Sequence, residues 1–261
     1  MGKIIAGLLG WMVGGPIGAI AGLYIGHQFD KGLANFFQPL TVEQQQRISA
    51  CFFETTFSLL GYLAKSDGRI SKTEIAQAEV LMANMGLTAD HRLEAIKLFK
   101  AGSQSDFSLD QVMQRFVSIC GKQNNLVQSL LNYLISLALA DGELHPAERK
   151  ALQKVSEYLG ISRALFERLL EMIMAQAQFA GANASSGTAN SADQLNSAYK
   201  ALGVSASNTD AEIKKAYRKL LSENHPDKLM GQGMPEDMIK LATERTQEIR
   251  KAYELVISSR K

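Results

Sequence analysis

Two cysteines in 261 residues, Cys51 and Cys120, exclude the disulfide frameworks of small secreted domains and the close-set thiols of structural zinc sites. They stand far apart in apolar, helical surroundings, which fits small core residues in a reducing compartment. Charge of one sign is equally scarce. With 28 basic residues against 26 acidic ones the net charge is +2, so the chain has no general attraction for nucleic acid and any basic patch must be local. Alternating β-branched and polar runs are missing from residues 41 to 180, which argues against a β architecture. No glycine-rich phosphate loop and no activated nucleophile occurs, so the chain is expected to be no enzyme and to need no cofactor. What is present, 46% hydrophobic residues, suffices to bury a core, and the pattern predicts an all-α chain.

The long apolar run lies at the N-terminus. From Ile4 to Gly26 no residue carries a formal charge, and 23 residues at 1.5 Å each span roughly 34 Å, enough for a hydrocarbon core of about 30 Å. Gly10, Gly14, Gly18, Gly22 and Gly26 recur at every fourth position, overlapping G-x-x-x-G units that let a second helix approach closely. A single membrane-spanning helix over residues 1–31 that pairs two copies into a homodimer is therefore expected, although Pro16 can kink it. Ala19-Ile20-Ala21 matches a signal-peptide cleavage pattern, but the apolar run continues past it and the basic n-region is Lys3 alone, so a retained anchor is favoured. Lysines flank both ends closely, so charge does not orient the helix.

Residues 41 to 180 read as helices punctuated by glycine. Within them a diverged repeat aligns Asp67-Gly68 and Glu74 with Asp141-Gly142 and Glu148, each copy being helix, Asp-Gly turn, helix. The paired D-G-x-[IL]-x-x-x-E pattern resembles the TerB-like helical domain, and that resemblance implies metal binding at Asp67, Glu74, Asp141 and Glu148. The spacing is not that of an EF-hand. Turn-forming Asp-Gly and a first-turn Glu that favours the helix dipole explain the same residues without a metal, and that reading is favoured. Residues 181–192, containing Gly-Ala-Asn-Ala-Ser-Ser-Gly-Thr-Ala-Asn-Ser, have the small polar composition of a flexible linker between two folding units.

Residues 193–261 form the last module. Gly203 stops a short helix, and Thr209 or Asp210 caps the next with Glu212 in its first turn. Projected at 100° per residue, Lys214, Lys215, Arg218 and Lys219 occupy one face of that helix and Ile213, Ala216, Tyr217, Leu220 and Leu221 the other. His225-Pro226-Asp227 ends it, because proline blocks continuation and biases the preceding residue away from helical backbone. A loop is expected to Pro235 and a long antiparallel helix from about Glu236 to Ser258.

Y-K-A-L-G-V, A-E-I-K-K-A-Y-R-K-L, H-P-D-K and Q-E-I-R-K-A-Y-E-L, in this order, resemble the J-domain of DnaJ-type co-chaperones. Two positions depart from that pattern: Thr246 stands where the family often places a core Phe, and Asn224 where Tyr is common. The resemblance implies that Lys214, Lys215, Arg218 and Lys219 dock on an acidic face of a DnaK-type Hsp70. His225, Pro226 and Asp227 would then contact the segment joining the two Hsp70 domains and raise its ATP hydrolysis. Anchor, TerB-like region, linker and J-domain together, with G-H-x-F-D-K at Gly26 to Lys31, resemble the bacterial DjlA-type membrane-anchored DnaJ-like proteins. That family implies an inner-membrane protein with a periplasmic N-terminus and a cytosolic bulk. The absence of a Gly/Phe-rich segment and of CxxCxGxG repeats excludes the full DnaJ architecture. Two other classes are consistent with parts of the chain, a membrane-bound metal-responsive sensor and a passive dimeric scaffold.

Overall fold

The computed structural model describes residues 40–66, 68, 78–80, 82, 83, 85–139, 144–184 and 191–260. All regular structure among them is helical. The central region begins with α1 (Val42–Ala64), followed by α2 (Ala89–Gly102), α3 (Leu109–Cys120), α4 (Asn124–Ala138), α5 (Pro146–Tyr158) and α6 (Arg163–Ala184). The C-terminal region contains α7 (Ser191–Ala201), α8 (Asp210–Glu223), the short α9 (Pro226–Gly231), a 3₁₀ turn (Glu236–Met238) and α10 (Ile239–Ser258). No described helix is long and apolar enough to cross a membrane; Ile4 to Gly26, with its glycine stripe, lies outside the described residues.

Helix α1 is the axle of the central region, touching α2, α3, α4 and α5. Cys51, Phe52, Phe57, Leu59, Leu60 and Leu63 are buried along it, with Phe52 set against Phe116 and Tyr133 at ring-centroid distances of 6.3 Å. Its crossing with α2 depends on two glycines. A Cβ placed on Gly61 would lie 1.9 Å from the Phe99 carbonyl oxygen, and one on Gly102 would lie 1.8 Å from that of Ser58. The two backbones touch because neither residue has a side chain. Cys51 and Cys120 are both buried thiols that meet in this core. The Cys120 thiol is pushed up by its hydrogen bond to Cys51 and by burial.

The C-terminal region packs α7, α8 and α10 around Ala198, Leu202, Ile213, Leu220, Ile249 and Val256, with Tyr217 stacked on Tyr253 at 4.0 Å. Gly203, at φ +67°, stops α7 as expected, and Val204 N–H turns back to the Tyr199 carbonyl at 3.1 Å. Two expectations for this part change. Pro226 does end α8, but it also opens α9, because a residue with fixed φ and no N–H suits the first position of a helix. The segment expected to be a loop thus holds six helical residues, and the last long helix enters through a 3₁₀ turn.

The predicted linker changes more. Helix α6 runs on through Ala184 and α7 is already helical at Ser191, so both ends of the 181–192 stretch are helical; residues 185–190 lie outside the described ones. From Val42 onward the chain forms one compact unit. The reason is the far half of α6, whose Phe179 is buried in the C-terminal core with Met172 against it. Small polar composition signalled a spacer, but an apolar side chain just before it is claimed by the next module.

Further contacts join the regions. Gln176 Nε2 donates to the Ala201 carbonyl at 2.9 Å, and Arg168 Nη2 to that of Gly203 at 3.1 Å. Arg245 Nη2 reaches Gln176 Oε1 at 2.8 Å. The end of α9 and the segment after it lie against α1, α2 and α4. There the buried Tyr133 hydroxyl donates to the Met238 carbonyl at 3.2 Å, His91 Nδ1 pairs with Asp237, and Gln45 Nε2 donates to the Met230 carbonyl at 3.2 Å.

Candidate functional site

The start of α8 fixes where its basic face points. Thr209 is the N-cap: its hydroxyl accepts from Glu212 N–H at 3.3 Å, and Glu212 Oε2 accepts from Thr209 N–H at 2.8 Å. The Thr209 N–H first, then Asn208 Nδ2 at 3.2 Å and the Thr209 hydroxyl at 3.1 Å, hold the Glu212 carboxyl below the usual carboxylate range. Arg260 braces this corner, with Nε on Asp210 Oδ1 at 2.7 Å and Nη2 on the Asn208 carbonyl at 2.9 Å. A carboxyl lowered on folding stabilises fully above its unfolded value, and that contribution is lost as pH falls through the folded one. Thr209→Ala is therefore expected to cost about 1 kcal/mol at neutral pH. Acidification below about pH 4 should shrink the difference between Thr209→Ala and the parent chain. Urea melts at both pH values measure this, and a pH-independent difference would rule out the carboxylate's share.

Lys214, Lys215, Arg218 and Lys219 are all exposed, while Ile213 and Leu220 of the opposite face are buried. Lys219 Nζ, itself exposed, stands 3.7 Å from Oε1 of the half-buried Glu223, a single long pair that leaves the strip open.

His225-Pro226-Asp227 sits where α8 meets α9. Asn224 closes α8, its N–H and Nδ2 both reaching the Leu220 carbonyl, at 3.1 and 2.8 Å. His225 has left helical backbone, at ψ 125°, and caps α9 by accepting the Asp227 N–H on Nδ1 at 3.2 Å. Its side chain is 50% exposed and that of Asp227 83%, their nearest charged atoms 4.0 Å apart. Leu229, fully buried, anchors α9 beneath them. A cationic strip along α8 thus leads to an exposed imidazole–carboxylate corner beyond its last turn. This arrangement suits recognition of an acidic protein surface and offers no nucleophile of its own.

The seven candidate residues all lie along α8 or at its junction with α9. Of the four acidic candidates, one is among the described residues. Asp67, Glu74 and Asp141 lie outside the described residues, and Glu148 Oε2 accepts from His145 N–H at 3.1 Å at the start of α5, a helix-cap role. No cluster of metal-ligating side chains occurs among the described residues. Thr246, noted from the sequence as a departure from the J-domain pattern, turns out to touch the junction: its hydroxyl lies 3.1 Å from the Asn224 carbonyl. Sequence spacing gave no signal for that pairing.

Comparison with known proteins agrees with this organisation. Residues 1–36 match the family model described as co-chaperone DjlA transmembrane domain, 54–171 that of tellurite resistance protein TerB, and 197–261 that of the DnaJ domain. The co-chaperone protein DjlA of Coxiella burnetii is 40% identical over 261 aligned positions, covering 98% of this chain and 96% of the relative. That of Salmonella typhimurium is 40% identical and that of Escherichia coli K12 39%, with the same shares covered. No solved structure matches the chain. With an anchor domain, a TerB domain and a DnaJ domain in this order and such relatives along its whole length, the chain belongs to the DjlA family of membrane-anchored, J-domain co-chaperones.

Proposed function

We propose that the chain stimulates ATP hydrolysis by a cytosolic, DnaK-type Hsp70. His225, Pro226 and Asp227 deliver the stimulating contact, and Lys214, Lys215, Arg218 and Lys219 dock on an acidic face of the partner. The observation that carries this reading is the exposed His225–Asp227 corner at the end of an unobstructed basic strip. Pro226 limits the corner's backbone freedom, so little order has to be created on binding. The strip supplies attraction at a distance, and the corner supplies specificity at contact.

The anchor keeps this activity at the bacterial inner membrane, with the N-terminus periplasmic and the remainder cytosolic. Gly10, Gly14, Gly18, Gly22 and Gly26 pair two copies within the bilayer; the support for this is the G-x-x-x-G spacing alone. The protein hydrolyses nothing itself.

The test uses the full chain in lipid nanodiscs with purified Hsp70 under single-turnover conditions. The parent chain is expected to raise the hydrolysis rate at least tenfold, and His225→Gln to return it to the basal rate. Equal stimulation by both proteins would refute the assignment.

A further inference from the structure

We propose that Thr246 is a positioning residue for the His225-Pro226-Asp227 junction, acting through a hydroxyl clasp on the Asn224 carbonyl; this rests on the function proposed above. Thr246 sits in the middle of α10 and is 5% exposed, and Asn224 is 7% exposed. A buried mid-helix threonine ordinarily bonds the carbonyl four residues back, and Thr246 Oγ1 does lie 2.8 Å from the Ala242 carbonyl. What is unusual is the second carbonyl, 3.1 Å away and 22 positions earlier in the chain.

The local backbone explains why that carbonyl needs a distant donor. Asn224 ends α8, where carbonyls lose their helical partners. Two residues on, Pro226 has no N–H to offer. The next N–H, that of Asp227, is taken by the His225 ring, and that of Leu229 by the His225 carbonyl at 3.0 Å. The Thr246 hydroxyl, sharing its one hydrogen between the Ala242 and Asn224 carbonyls, reaches this acceptor from α10.

The consequence is geometric. The side-chain hydrogen bonds of the junction run within its own stretch: His225 to Asp227 N–H, and Lys228 Nζ to Ser222 Oγ at 3.1 Å. Asp227 projects into solvent. Thr246 ties the last residue before the tripeptide to α10, and so sets the angle at which the corner leaves α8. Thr246 meets Asn224 through that residue's backbone, while the Asn224 side chain turns to the Leu220 carbonyl. A hydrogen bond stands where an aromatic core contact is common.

The experiment compares the parent full chain with Thr246→Val, which keeps the shape and removes the hydroxyl, and Thr246→Ser, which keeps the hydroxyl. His225→Gln is the control. Maximal Hsp70 stimulation and the concentration giving half of it are measured well below each variant's melting temperature. Selective carbonyl labelling of Asn224 and amide labelling of His225 and Asp227 report the junction by NMR. Thr246→Val is expected to move all three resonances and to lower stimulation at least fivefold, while Thr246→Ser stays within twofold of the parent. Parent-like stimulation by Thr246→Val, with His225→Gln inactive, would overturn the clasp's role. So would a fivefold loss that Thr246→Ser fails to rescue. If the parent itself does not stimulate Hsp70, the functional reading fails and the resonances decide separately. Movement at His225 and Asp227 sustains positioning, and movement confined to Asn224 or none at all overturns it.

Discussion

Phe179→Ala is expected to destabilise the C-terminal module by about 3–5 kcal/mol, the range for emptying a large buried aromatic site. Phe179 is 3% exposed and belongs to the cluster of Tyr199, Ile213, Ile249 and Val256, although it is carried by the last helix of the central region. A side chain serving only the central region would leave α8 and α10 untouched when removed. The shared core predicts the opposite. Hydrogen exchange should accelerate in α7, α8 and α10, and the Hsp70 stimulation proposed above should fall with temperature sooner than in the parent chain. The same argument ranks two fragments: one beginning at residue 190 lacks Phe179 and should melt well below one beginning at Arg163. Equal melting of the two would show that α6 contributes nothing to the module.

Gly102→Ala should lower the stability of the central region by about 3 kcal/mol or more, as overpacking against rigid backbone does at its upper end. Intrinsic propensity argues the other way, since alanine is favoured over glycine inside a helix by about 1 kcal/mol. Geometry decides the sign. The new Cβ would fall 1.8 Å from the Ser58 carbonyl oxygen, which is backbone of α1 and has no rotamer to yield. Gly61→Ala makes the mirror test, its Cβ falling 1.9 Å from the Phe99 carbonyl. Denaturant melts of both variants read the sign directly. A gain in stability in either would mean that α1 and α2 separate without cost.

The parts of the molecule legible from sequence are those whose physics is local. The helix start at Thr209 or Asp210 was readable locally, the structure choosing Thr209 with a capping box to Glu212, and the basic face of α8 followed from the helical period. Gly203 announced its own turn. Pro226 was half legible: its missing N–H forbids a helix before it and permits one after it, and the pattern alone did not say that both happen. The rest depended on partners distant in the chain. Phe179 lay next to a small polar stretch that looked like a boundary, and its burial among residues 198 to 256 is tertiary. Thr246 was noticed because it departed from a pattern, whereas the carbonyl it reaches became visible only when α8 and α10 were laid side by side. Of the four acidic candidates, Glu148 alone lies among the described residues; it stands in the first turn of α5, as the helix-dipole reading expected, and its bond to His145 N–H was not foreseen.

Helix α6 also has a consequence for the order of events during synthesis. Its far half leaves the ribosome before α10 exists, so Phe179 and Met172 emerge without the Ile249 and Val256 surface that covers them. Domains made from the N-terminal side tend to close as they appear, and apolar surface left waiting invites wrong contacts. The central helices can close early, but the second core must stay open until α10 has been made. For that interval a protein that serves chaperones displays the kind of exposed apolar helix that chaperones bind.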